Sequence, residues 1–217
     1  MSLAPGFASV VLDVDSTLCG IEGIDWLAMR LGAGVGASVA ALTDQAMRGE
    51  IPLGAVYGAR LALVRPGDVE LRALADAYLA ALAPGAAEAI ALMQRDSVRV
   101  VLVSGGLREA ILPVARHVGI ADDDVHAVSV RLGTEGQYLG YDADSPLVQS
   151  AGKPEVVAAL LLTPRVLAVG DGATDLAIRH VADGFAAFTG VVTRPSVVAG
   201  ADVVIDSFAQ LVELVRQ

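Results

Sequence analysis

The sequence predicts an α/β protein: a doubly wound, mostly parallel sheet with a small helical module inserted after the first strand, and a β-hairpin. Three observations carry this. Apolar runs of strand length stop abruptly at polar or glycine clusters: Val10-Val11-Leu12 at Asp13, residues 98–103 at Ser104-Gly105-Gly106, and residues 166–169 at Gly170-Asp171-Gly172. Parallel strands buried on both faces read as such continuous runs rather than as alternating ones. Helical patterns lie between the later runs, as βαβ units require. Between residues 19 and 84 the alternation fails, and Ala/Leu-rich helical patterns follow one another without a convincing strand.

Taken in order, the first strand leads straight into Asp13 and is followed by the helical stretch, punctuated by Gly32, Gly34, Gly36, Pro52, Pro66 and Pro84. The expected division is therefore a core of residues 1–18 and 85–217 and an inserted module of 19–84. The second strand feeds a helix over 107–118, stopped by Gly119. Val128, Val130 and Leu132 alternate with polar residues, Gly133-Thr134-Glu135-Gly136 turns, and Tyr138-Leu139-Gly140-Tyr141 returns, which predicts a hairpin within 125–142. Pro154 opens a helix with its body at 156–162, the third strand follows, and a helix is expected over 175–182. Short strands at 184–188 and 202–205 and a helix over 208–216 close the chain.

At 217 residues, this is one compact unit able to bury a real core without staples. The hydrophobic fraction of 54% against 18% charged residues excludes a disordered or fibrous chain. Mean hydropathy of +0.60 raises the question of a membrane span. However, the longest charge-free stretch, 31–43, falls short of the ~20 residues a crossing needs, as does 156–164. Twenty-five acids against 15 bases leave −10, a poor basis for nucleic-acid binding. The single cysteine, Cys19, has no internal partner, and with no apolar leader a reducing cytoplasm is the expected compartment.

In open α/β sheets, ligands bind beyond the C-terminal ends of the strands. All three core runs place Asp, Ser or Gly there. Any one run reads as ordinary turn and capping chemistry; three equivalent runs carrying four acids point to a site. Asp13 and Asp15, two apart, enter one crevice together, and Asp171 and Asp175 join them. Four carboxylates so close need a cation or raised pKa values. All-oxygen donors in a wet crevice suit Mg²⁺. Lys153, the only lysine in the chain, stands where it can face the same crevice. Four acids with Mg²⁺ and Lys153 leave one net negative charge, and protonating one acid removes it, so a phosphate can approach. Ser104, Gly105 and Gly106 then form a phosphate seat from backbone amides and a hydroxyl.

Asp13-Val14-Asp15-Ser16-Thr17, Ser104-Gly105-Gly106, Lys153 and Gly170-Asp171-Gly172-Ala173-Thr174-Asp175 resemble, in order, the four motifs of haloacid dehalogenase-type phosphatases, with their Rossmann-like sheet. Further markers resemble the branch of that superfamily that hydrolyses O-phospho-L-serine in serine synthesis. They are Glu22-Gly23-Ile24-Asp25, Ala46-Met47-Arg48-Gly49, Arg60-Leu61-Ala62-Leu63, and Gly152-Lys153 with Tyr138–Tyr141 upstream. The resemblance spans nearly the whole chain. It implies Asp13 as nucleophile and Asp15 as general acid and then base. It implies Mg²⁺ on the Asp13 carboxylate, the Asp15 backbone carbonyl and Asp171, steadied by Asp175. Ser104, the glycine amides and Lys153 would neutralise the phosphoryl group. In a helical cap, Glu22 would take the substrate ammonium and Arg60 its carboxylate, with Met47 and Arg48 lining the pocket and Thr174 contacting substrate or phosphate. Leu53 departs from the family, where a bulky aromatic commonly follows the residue matching Pro52, and two extra residues lie within 31–37.

Other residues make weaker claims. His117, His126 and His180 are dispersed without metal spacing, and Trp26 reads as packing. Cys19, lacking a paired histidine, reads as a small buried hydrophobe, and Asp122-Asp123-Asp124 as a solvated loop. Arg194 is balanced between a pocket rim and ordinary structure. Two rival functions stay open: a related enzyme on another small amino-alcohol phosphate, hydrolase or phosphotransferase, and, more remotely, a receiver-like module phosphorylated on aspartate. The expected partner is a small phosphomonoester, with no nucleic acid and no membrane, for a monomer or homodimer.

Overall fold

Strand β1 (Ser9–Leu12) lies inside a six-stranded parallel sheet of order β3-β2-β1-β6-β7-β8. The structure is a computed structural model that describes residues 6–48 and 50–216. The remaining strands of the sheet are β2 (Arg99–Leu107), β3 (Val125–Val128), β6 (Val166–Gly170), β7 (Gly184–Phe188) and β8 (Val203–Ile205). Leu12 is level with Leu102 on one side and Val169 on the other, so the residues just past Leu12 and Val169 meet beside the continuing end of β2. From β1 the chain order runs outward both ways, and this reversal opens the crevice where doubly wound sheets bind ligands. Val10, Val11 and Leu12 are almost fully buried. At about 1.5–3 kcal/mol for each such side chain, the strand is firmly held and aims the residues just beyond it.

Between β1 and β2 come α1 (Gly23–Arg30), α2 (Ala33–Met47), α3 (Leu53–Val64), α4 (Asp68–Ala80) and α5 (Ala86–Arg95). Helix α4 buries Leu71, Leu74, Ala75 and Tyr78, an i, i+3, i+4, i+7 stripe. It opens with the Gly67 amide donating to Glu70 at 3.0 Å, and α3 ends on Arg65 in the left-handed region just before Pro66. The segments entering α1 and leaving α4 are tied together, with α5 outside the ties. Gly20 N–H donates to the Ala81 carbonyl at 2.7 Å and Ala83 N–H to the Leu18 carbonyl at 2.9 Å.

Four sequence expectations shift. The second strand does not stop at Val103: β2 runs through Ser104-Gly105-Gly106 to Leu107, with its register against β3 broken between Val103 and Leu107. Helix α6 (Arg108–His117) therefore starts after the glycine pair, and ends, as expected, before Gly119 at φ +80. Residues 125–128 belong to the main sheet as its edge strand, so the hairpin is only β4 (Val130–Leu132) and β5 (Tyr138–Tyr141). Helix α7 (Gly152–Ala159) stops before Leu160, which is extended, and leaves Leu161 in solvent. Helix α8 (Ala173–Leu176) begins two residues earlier than expected and passes into a 3₁₀ turn over Ala177–His180. Helices α9 (Pro195–Gly200) and α10 (Phe208–Arg216) complete the chain. Among the described residues, no helix is long and apolar enough to cross a membrane.

Candidate active site

The first residue past β1 is Asp13, whose amide donates to the Val169 carbonyl at 3.0 Å and whose side chain is buried. Its Oδ1 accepts from Lys153 Nζ at 2.6 Å, and the same ammonium donates to Asp175 Oδ1 at 2.6 Å. Helix α7 thus delivers Lys153 between the ends of β1 and β6. Asp175 in turn accepts the Gly172 amide through Oδ2 at 3.0 Å. Gly170 makes this approach possible: a Cβ there would lie 2.3 Å from the Asp175 carboxyl carbon. Thr17 Oγ1 donates to Asp171 Oδ1 at 3.2 Å. Ser16, between the two motif aspartates and Thr17, takes φ +55 to turn the chain.

Carboxylate oxygens of Asp13, Asp171 and Asp175 lie within 4.8 Å of one another. Asp171 Oδ2 is buried without a hydrogen bond. A compact set of hard oxygens with one unsatisfied acceptor fits a small divalent cation. The sequence put four carboxylates in this cluster; the structure gathers three. Asp15 lines the same hollow, but its Oδ1 is turned to accept the Tyr78 hydroxyl at 2.6 Å and the Gly23 amide at 2.9 Å.

The electrostatics follow from burial and crowding. Burial, then the neighbouring Asp175, pushes the Asp13 carboxyl well above its usual range, against the pull of Lys153. Burial and Asp175 raise Asp171 to about 6, opposed by Arg194. Asp15 is raised by burial, while the Tyr78 and Gly23 hydrogen bonds favour its ionised form. Burial disfavours the Lys153 ammonium, but Asp13 and Asp175 more than offset it, and the amine is held charged.

Arg194 changes the charge count made from sequence. It is buried, and its Nε faces Asp171 Oδ2 at 3.0 Å without hydrogen-bond alignment. Its other nitrogens sit 3.5 Å from Glu22 and from Asp44. A second cation therefore faces these acids. Its only sequence signal was a position after a late strand.

Glu22, just before α1, and Arg60, on α3, line the hollow with Tyr57, Gly105, Lys153 and Thr174. Burial, then Asp15 and Asp171, lifts Glu22 to about 8, with the Ser16 hydroxyl donating to it at 2.8 Å. Arg60 is buried, pairs with Asp25 at 3.3 Å and keeps its Nε without a partner. Ser104 lies behind Gly105, and its hydroxyl accepts the Gly106 amide at 3.0 Å. The expected amide seat is thus partly closed on itself, because β2 continues through it. Tyr57 donates to the Gly105 carbonyl at 2.8 Å. Arg48 does not line the hollow: it is exposed and pairs with Asp44 and Glu50. The side chains of Met47 and Leu53, and Gly49, lie outside the described part of the structure. Cys19 is buried, as expected, with burial pushing its thiol up. His117 and His180 are exposed, whereas His126 is half-buried on β3 with Nε2 unpartnered. The free space inside the hollow is about 30 Å³, room for about two waters and too little for an amino-acid phosphate.

The profile of the haloacid dehalogenase-like hydrolases matches residues 10–180, from β1 past the Asp171 and Asp175 motif. This chain belongs to the haloacid dehalogenase-like hydrolase family. Among family relatives, it is 37% identical over 209 residues to the chloroplastic phosphoserine phosphatase of Arabidopsis thaliana, covering 94% of this chain and 70% of that one. To the phosphoserine phosphatase of Bos taurus it is 36% identical over 206 residues, covering 94% and 91%. A phosphoserine phosphohydrolase-like protein from Francisella tularensis superposes with a TM-score of 0.87 at 24% identity, over 95% and 99% of the two chains. A substrate-bound phosphoserine phosphatase gives 0.81 at 22%, over 97% and 99%. At these identities, the structural matches establish the shared haloacid dehalogenase fold.

Proposed function

We propose that this hydrolase removes the phosphoryl group from O-phospho-L-serine through an aspartyl-phosphate on Asp13, with Mg²⁺ as its metal. The observation that carries the reading is the placement of Asp13 and Lys153, 2.6 Å apart, in one hollow with Glu22 and Arg60. The first pair serves phosphate chemistry and the second an amino acid's two charges. The names of the relatives in Arabidopsis and Bos taurus point the same way.

Asp13, Asp171 and Asp175, with the Asp15 backbone carbonyl, would hold the metal, which when bound draws charge from the phosphoryl oxygens. Asp13 attacks phosphorus as the ester P–O bond breaks. Asp15 gives its proton to the departing serine oxygen, then takes one from the water that hydrolyses the acyl phosphate. Lys153 holds Asp13 in line and, with Ser104 and the Gly105–Gly106 backbone, offsets charge on the transferring group. Glu22 receives the substrate ammonium, which brings its carboxyl back to the ionised form. Arg60 offers its free Nε to the substrate carboxylate, a charge-assisted contact. Thr174 lies at the wall that the substrate meets. Residues 19–84 act as a cap on a core of 1–18 and 85–217. Substrate entry would move that cap about the segments joined by the Gly20–Ala81 and Leu18–Ala83 ties.

The test is phosphate release from L-phosphoserine by the purified chain. Chelation of divalent metal stops the reaction and Asp13→Asn abolishes it. Undiminished release by Asp13→Asn with Mg²⁺ present would refute the covalent route.

A further inference from the structure

Asp15 has two oxygens and one task at a time, so something has to decide which oxygen meets the substrate. The protein supplies two donors to Oδ1: the Tyr78 hydroxyl at 2.6 Å and the Gly23 amide at 2.9 Å. Both come from the helical segment between β1 and β2, Tyr78 from α4 and Gly23 from the first residue of α1. They are fitted to one another. A Cβ on Gly23 would fall 2.0 Å from the Tyr78 hydroxyl oxygen and 2.8 Å from its ring carbon, so the bare glycine leaves the space in which that hydroxyl sits. Tyr78 is fully buried and belongs to the inward stripe of α4. From periodicity alone it reads as a core residue, and no motif marks it. The other oxygen, Oδ2, lies beside Gly106 at the end of β2, 3.2 Å from where a Cβ on that glycine would stand.

We propose that Tyr78 is the positioning residue for Asp15, holding Oδ1 so that Oδ2 is the oxygen presented to the bridging oxygen of the phosphoester. A carboxyl group pinned through one oxygen by two converging donors cannot flip about its terminal torsion, and such orientation is where much of general-acid efficiency resides. The step it serves balances simply. The Asp13 oxygen forms a bond to phosphorus, the phosphorus–ester oxygen bond breaks with its electron pair going to that oxygen, and the proton on Asp15 Oδ2 moves to it. Because both donors ride on the segment proposed to act as cap, Asp15 is oriented only when that segment is seated. The inference rests on the reading of Asp15 as proton donor given above.

A positioning role separates from a structural one by leaving group. The measurement is kcat/KM, which reads only the steps through departure of that group, for wild type and Tyr78→Phe with Mg²⁺. Two substrates are compared: L-phosphoserine, whose alkoxide needs a proton, and p-nitrophenyl phosphate, whose nitrophenolate leaves without one. Tyr78→Phe keeps the ring, and a thermal unfolding midpoint near that of wild type checks its fold. The expected result is a loss of about 10-fold on phosphoserine and less than 2-fold on the nitrophenyl ester. Gly23→Ala, which drives the hydroxyl away, gives the same selective loss and serves if Tyr78→Phe folds poorly. Equal losses on both substrates, or none on phosphoserine, overturn the proposal. A wild-type chain that hydrolyses neither substrate instead overturns the phosphatase reading itself, and this proposal with it.

Discussion

Replacing Lys153 with methionine keeps most of the apolar stem and removes one charge from the most crowded place in the molecule. That ammonium is shared by Asp13 and Asp175 at 2.6 Å each, with all three side chains at 7% exposure or less. Taking one partner from a buried ion pair costs about 3–5 kcal/mol, because the charge left behind has neither water nor a counter-ion. For a chain of this length, each kcal/mol moves the unfolding midpoint by about 2–4 °C. Lys153→Met should therefore melt about 6–20 °C below wild type in chelator at pH 8. The pH dependence has a definite sign. The lysine's folded pKa is raised, so its contribution is fully present throughout the neutral range. The deficit depends instead on the carboxyls, whose raised folded pKa values favour their protonated forms at low pH. At pH 5 these groups neutralise themselves and the deficit shrinks. Millimolar Mg²⁺ at pH 8 also narrows it, by supplying the missing cation. The assay is thermal unfolding at both pH values, with chelator and with metal. A variant within about 2 °C of wild type at pH 8 in chelator would refute the claim that Lys153 compensates these acids.

Two further perturbations probe the amino-acid end of the hollow. Arg60→Ala should lower kcat/KM for L-phosphoserine by about 10- to 100-fold, the loss of a charged hydrogen bond of roughly 1.5–3 kcal/mol, yet leave phosphoethanolamine within about 3-fold; equal losses in steady-state assays would remove Arg60 from the carboxylate contact. Glu22→Gln should stabilise the metal-free chain. The wild-type carboxyl titrates near 8 when folded against an ordinary 4.5, so its contribution is whole below about 4.5 and is lost as pH rises toward 8. The gain in unfolding free energy should grow across that interval to about 1–4 kcal/mol, read by denaturant titration, and a variant less stable than wild type at pH 8 contradicts the assignment.

The stability given up at Glu22, Asp13 and Asp171 has a functional reading. Each buried acid is expensive without the cation it faces, whether metal, substrate ammonium, Lys153 or Arg194. Binding of a cation beside them therefore stabilises the protein. Arg194 touches Glu22, Asp44 and Asp171 together, so it links the amino-acid end of the pocket to the metal end.

Much of this was legible in one dimension. Strand runs ending in Asp13, Ser104 and Gly170 announced both the parallel sheet and the edge at which its chemistry gathers, since strand period and burial are local properties of a sequence. Asp171 and Asp175 were placed just past the third strand run, and a solitary lysine declared itself by composition. What residues 125–128 would pair with was not legible: a short run with valine at each end suits a hairpin or a sheet edge equally, and the neighbouring β2 decided it. The end of β2 was misjudged for the same reason, because glycine after a strand run reads as a stop until a partner strand keeps it extended. Arg48 sits in a family-like motif, but the exposed acids Asp44 and Glu50 claim it. Tyr78 and Arg194 show the limit most clearly. One looks like helix core and the other like a loop cation, and each acquires its role from contacts with other segments of the chain, Tyr78 with Asp15 and Arg194 with Asp171 and Glu22. The sequence by itself determined the element types, the acids and the base; only the tertiary structure decided which oxygen of each acid faces which donor, because that depends on distances between segments that no local pattern encodes.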